Sequence, residues 1–87
     1  MKIYELIPMN GRKSFYGKAI VIEKDGWTFL KSYNTIVCGI DSSNGFHRFW
    51  NGWSDTTGKH IKSFRGGIGN KKDWDSFPVE PLPECIR

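Results

Sequence analysis

The sequence predicts an α+β domain: an antiparallel β-meander of about four strands, one main helix packed on it, and a short C-terminal helical turn. Three observations predict it. Four β-rich runs lie between residues 16 and 51, two of them joined by Asp25-Gly26 and two by a loop ending in Asn44-Gly45. A stretch with helical spacing follows, opened by Ser54 and closed by Gly66-Gly67. A chain of 87 residues has room for one modest core. The expected division of the single domain 1–87 is an N-terminal strand or loop over 1–14, the meander over 15–53, the helix over 54–66, and a helical turn with an extended tail over 67–87.

The elements follow in order. "PMNGRKSF" (8–15) reads as a loop from its proline, Asn-Gly pair and charges. "YGKAIVIEK" and "WTFLKSY" flank Asp25-Gly26, a pair suited to a type I′ turn because both central positions need positive φ, and that turn sets Ile22 opposite Phe29. "NTIVCGID" and "FHRFWN" are joined through Asn44-Gly45, and a two-residue loop there places Asp41 opposite Arg48, Gly39 opposite Trp50 and Ile40 opposite Phe49. Ile36, Cys38, Ile40 and Phe49 then form the core face. Trp27, Phe29 and Tyr33 alternate on one strand face, as a mini-core under the tail or an exposed stripe.

In the helix, Ser54 is the N-cap and Asp55 suits the positive end of the helix dipole. Thr57, Ile61 and Phe64 form the stripe facing the sheet, with Gly58, Lys62 and Arg65 on another face beside Lys59. "NKKDWDSFP" reads as a further helical turn capped by Asn70 and stopped by Pro78, with Trp74 and Phe77 inward. "VEPLPECIR" is proline-spaced and reads as extended.

Composition narrows the function classes. No apolar run approaches the roughly 20 residues of a membrane helix, and the first residues do not read as a signal peptide. Cys38, in an apolar run, and Cys85, in the tail, do not suggest a disulfide framework, so a reduced cytoplasmic setting is expected. There is no CxxC, HxxxH or acidic cluster, so neither a metal nor another cofactor is expected. "RGGIGNKK" follows a helix instead of opening one, unlike a phosphate-cradling loop. An enzyme built on His47 or His60 is the minor alternative, and no catalytic residue is assigned.

Charge is uneven within a net +4. Residues 48–72 hold six basic residues against Asp55 alone, while residues 73–87 hold four acidic residues against Arg87. Basic side chains interleaved with rings suit an anionic partner, since cations neutralise phosphates and rings stack on bases. The candidate binding residues are Arg48, Trp50, Lys59, Lys62, Arg65, Lys71 and Lys72.

Residues 13–64 resemble a family of small proteins encoded by phages and mobile elements, a domain of unknown biochemical function. The resemblance rests on Ser14-Phe15-Tyr16-Gly17-Lys18-Ala19, on Ser32 to Val37, and on Trp50-Asn51-Gly52-Trp53-Ser54 with Thr56-Thr57 and His60-Ile61. Gly58 inside the helix departs from it. The resemblance implies a modulator or inhibitor of a host protein or ribonucleoprotein, of anti-defence or anti-CRISPR type, working in the host cytoplasm. It carries over no catalytic residues. A basic chain does not fit inhibitors that imitate DNA by being acidic. The alternative partner is DNA or RNA itself, gripped without sequence reading by the basic helix face.

Overall fold

The computed structural model describes residues 1–8 and 15–87, so the loop expected over 8–15 lies largely outside the described residues. Its elements are β1 (Lys2–Glu5), β2 (Ala19–Lys24), β3 (Trp27–Ser32), β4 (Thr35–Ile40), β5 (Phe46–Arg48), α1 (Asp55–Phe64), α2 (Lys71–Asp75) and a 3₁₀ turn (Glu84–Ile86). The strands form one antiparallel sheet in chain order. It has five strands where about four were expected, because β1 joins β2 with Ile3 opposite Ile22 and Tyr4 opposite Val21. The tail is not extended throughout, since residues 84–86 close into the 3₁₀ turn.

The β2–β3 hairpin follows the sequence. Asp25 (φ 52°) and Gly26 (φ 82°) both take positive φ, and Ile22 faces Phe29. The β4–β5 hairpin does not. Its connection spans residues 41–45, and its pairs are Ile40 with Phe46, Gly39 with His47 and Cys38 with Arg48. The Asp41 carboxylate accepts the backbone N–H groups of Ser43 and Gly45, both at 2.9 Å. Asn44 alone takes positive φ. This side-chain-capped turn displaces the expected two-residue turn. The pairing is offset by three residues, and an odd offset sends each side chain to the other face. Phe49 therefore leaves the helix-facing core.

A bulge in β4 adds a second irregularity. Leu30 pairs with Cys38 and Lys31 with Ile36, leaving Val37 between them. Val37 and Cys38 are both buried, and the Val37 carbonyl accepts the N–H groups of Phe49 at 2.9 Å and Trp50 at 3.2 Å.

The main core lies between the sheet and α1–α2. It comprises Phe15, Ala19, Leu30, Val37, Cys38, Ile61, Ile68 and Trp74, rimmed by Phe46, Trp50, Trp53, Phe64 and Phe77. On the opposite face Trp27 stacks on Phe29 (centroids 5.3 Å apart, planes at 4°), with Phe49 and His47 beside them. Tyr33 is not in this group. It occupies the β3–β4 turn at φ 55° and lies near His60, with the Lys18 ammonium 5.4 Å from its ring centre.

Ser54 caps α1 as expected, its side chain accepting the Thr57 N–H at 3.1 Å. The helix stops two residues short of 66. Arg65, extended at φ −141°, is the C-cap, and the left-handed Gly67 lies beyond it. Its buried residues are Gly58 and His60 as well as Thr57 and Ile61. Asn70 caps α2 through the Asp73 N–H at 2.9 Å, and the buried Trp74 indole donates to the Gly52 carbonyl at 2.8 Å.

Candidate anion-binding groove

The α1–α2 connection turns back along α1 and leaves an open groove of about 700 Å³ between them. Trp53 lines it from the segment before α1. Lys59 and Lys62 come from α1, and Gly69, Asn70 and Lys71 from the opposite wall. Lysines three apart on a helix share a face, so the helix period itself sets Lys59 beside Lys62. Among the described residues neither has a carboxylate within ion-pair distance, whereas Lys71 contacts Asp75 at 2.6 Å. Among the described residues Asp55 is the one acidic residue lining the groove. The site is a shallow cationic trough with an aromatic wall, suited to attracting an anion and presenting a ring to an apolar or π surface.

Trp53 reaches this place because residue 58 is glycine. A Cβ there would stand 2.5 Å and 2.7 Å from Cζ2 and Cη2 of the indole. Trp53 is not among the candidate binding residues named from the sequence. A glycine inside a helix, costly in its own right, was the available signal that a bulky group needs the space.

Of the seven candidate residues, the structure brings together Lys59, Lys62 and Lys71. Lys72 is exposed on α2 and does not line the groove. Arg65 is half-buried, its guanidinium 5.1 Å from the centre of the Phe46 ring. Trp50 is half-buried against the main core.

Arg48 is a correction. It is only 6% exposed and its charge is spent inside the fold. Nε donates to the Trp50 carbonyl at 2.9 Å, and Nη1 to the carbonyls of Trp74 at 3.2 Å and Phe77 at 3.0 Å. Nη2 lies 3.6 Å from Asp75, and the guanidinium sits over the Trp74 ring. The expected pairing with Asp41 does not occur, because the β4–β5 register turns Arg48 toward α2. Asp41 meets His47 instead.

The histidines occupy different environments. His60 is buried, and its Nδ1 lies 2.8 Å from Ser32 Oγ, which is also 2.9 Å from Thr57 Oγ1. Burial lowers its pKa, favouring the neutral ring. Ser32 is itself only 3% exposed, so this hydroxyl–imidazole pair has no surface at which to meet a substrate. His47 lies between Asp41 and Glu80.

Cys38 and Cys85 are free, and burial pushes the Cys38 thiol well above its usual range. Among the described residues no three His, Cys, Asp or Glu side chains gather as a metal ion would require, and no helix is long and apolar enough to cross a membrane.

A family of unknown function (DUF8033) matches residues 2–77 of the chain. Comparison with curated proteins and with solved structures finds no match.

Proposed function

The chain belongs to this family of unknown function, and we propose that it acts by binding, with the α1–α2 groove gripping the phosphate backbone of DNA or RNA, free or within a ribonucleoprotein. One observation carries the reading: among the described residues Lys59 and Lys62 stand without carboxylate partners beside Trp53, with Lys71 across the trough. Such a site neutralises phosphates and offers a ring to a base, and it holds no side-chain pattern that reads sequence. The resemblance of residues 13–64 to proteins of phages and mobile elements supplies the setting. The partner is then DNA or RNA of the host, free or within a ribonucleoprotein, and the effect is modulation or inhibition of host defence.

Titration of fluorescein-labelled single- and double-stranded DNA and RNA at about 50 and 200 mM salt tests this. Three phosphate contacts predict roughly 20-fold to 40-fold weaker binding at the higher salt. Replacing Lys59, Lys62 and Lys71 together with alanine should weaken binding and flatten that dependence. No binding at low salt would overturn the nucleic-acid reading and leave the groove to an acidic protein surface.

A further inference from the structure

We propose that the segment from Val79 onward is a strap held on β5 by His47, and that it loosens when His47 gives up a proton. The strap lies beyond the matched residues 2–77. Val79 bridges Arg48 in parallel, and the Glu80 N–H donates to the Arg48 carbonyl at 2.8 Å, so the strap occupies the outer edge of β5. Its side-chain anchor is Glu80. His47 Nδ1 lies 3.0 Å and 3.1 Å from the two Glu80 carboxylate oxygens, while Nε2 lies 2.7 Å from Asp41 Oδ2.

A carboxylate only accepts, so both contacts are hydrogen bonds only when both ring nitrogens carry protons. The imidazolium joins the two carboxylates; the neutral ring has one N–H and turns a lone pair toward one of them. Asp41 is also fixed by the Ser43 and Gly45 N–H groups, and its contact is the shorter. The bond to Glu80 is therefore the one released, and Glu80 rides on the strap.

The charged groups facing His47 are Asp41 from the β4–β5 connection and Glu80 from the strap. β3 contributes the uncharged Trp27 ring, 4.8 Å between centroids. Burial pulls the His47 pKa down, but the hydrogen bonds and charges of Asp41 and Glu80 outweigh it, and the net direction is up. The hydrogen bond from His47, with those of the Gly45 and Ser43 backbone, lowers the Asp41 pKa. A raised histidine pKa stabilises the docked state fully below the free-imidazole value of about 6.5, and that stabilisation is lost as pH rises through the docked value. The carboxylate contribution of Asp41 fails only at much lower pH. The strap is tightest in mild acid and loosest on the alkaline side of neutrality.

Nuclear magnetic resonance of the full chain between about pH 5.5 and 8.5, a range that brackets histidine titration, tests the strap. The amide signals of residues 79 and 80 should move with the same midpoint as the His47 ring, and their order should fall above it. Glu80→Gln should lower that midpoint and reduce exchange protection of the residue 80 amide roughly threefold to fivefold in mild acid, the scale of a part-exposed ion pair. His47→Gln should make the order of the strap independent of pH across this range. Strap amides that stay fixed through the His47 titration would overturn the proposal. So would a His47 midpoint unchanged in Glu80→Gln, a substitution at a half-exposed position that decides the matter even if the histidine variant fails to fold.

Discussion

The indole of Trp53 lies over Gly58 so closely that a Cβ at residue 58 would stand 2.5 Å from Cζ2. The glycine makes room for the ring, and the ring forms one wall of the cationic groove.

Gly58→Ala sets helix propensity against packing. Alanine gains about 1 kcal/mol over glycine inside a helix, whereas forcing atoms into a packed site costs typically 1–3 kcal/mol. Because Trp53 also rims the core, the packing cost should win. A lower urea midpoint and weaker low-salt nucleic-acid binding are expected. Gly66→Ala is the control, since nothing lies within 4 Å of a Cβ there. A stabilised Gly58→Ala protein would show that the ring moves aside freely.

Arg48→Met should destabilise the fold without acting on the groove directly. The substitution keeps an apolar stem against Trp74 and removes the guanidinium donors to the carbonyls of Trp50, Trp74 and Phe77, while the Trp74 carbonyl keeps the Phe77 N–H at 3.2 Å. Leaving such groups unpaired costs about 1–3 kcal/mol each where they stay dry. Equilibrium urea unfolding should register a loss in that range, while the salt slope of nucleic-acid binding stays that of the wild type at temperatures where the variant is folded. A reduced slope in the folded variant would return Arg48 to the binding set.

The contrast between the two hairpins shows what was legible in the sequence. Asp25-Gly26 joins its strands as a two-residue turn, and its register follows from the positive φ of both residues. Asn44-Gly45 offers the same chemistry, but Asp41 captures two backbone N–H groups and fixes a five-residue connection. That choice lay in hydrogen bonds from a side chain to residues two and four further on, which turn-pair preferences do not weigh. The misplacement of Phe49 and Arg48 follows from it. Lys59 and Lys62 were legible because helical spacing alone sets them side by side; Lys71 was named, but its place across from them depends on the path of the α1–α2 connection. Trp53 was missed because its position depends on a contact with Gly58, five residues on, that no periodicity expresses.

Gly39 gives a test of the far face. A Cβ there would stand 2.9 Å from Phe29 Cδ1 and 3.2 Å from Phe49 Cε2. Phe29 is fully buried beneath the stacked Trp27, so its ring has little room to retreat. Gly39→Ala should cost on the order of 1–3 kcal/mol by overpacking, read as a drop in melting temperature. An unchanged melting temperature would show that this aromatic cluster yields easily.

The two histidines should oppose one another in the pH dependence of stability. They are the only ones in the chain, so each single variant isolates the other. Burial lowers the His60 pKa, so the folded state binds fewer protons there than the unfolded chain. Its contribution is present above the ordinary imidazole value of about 6.5 and is lost as pH falls toward the lowered one. His47, with its raised pKa, contributes below that ordinary value and loses the contribution as pH rises. Urea midpoints measured between about pH 5 and 8 should therefore rise with pH in His47→Gln and fall with pH in His60→Gln. Slopes of the same sign in both variants would show that one ring does not occupy the environment described for it. Ser32→Ala sharpens the assignment. It strips His60 Nδ1 of its buried partner, should cost about 1–3 kcal/mol, and leaves His47 untouched, so the pH slope owed to His47 must survive it.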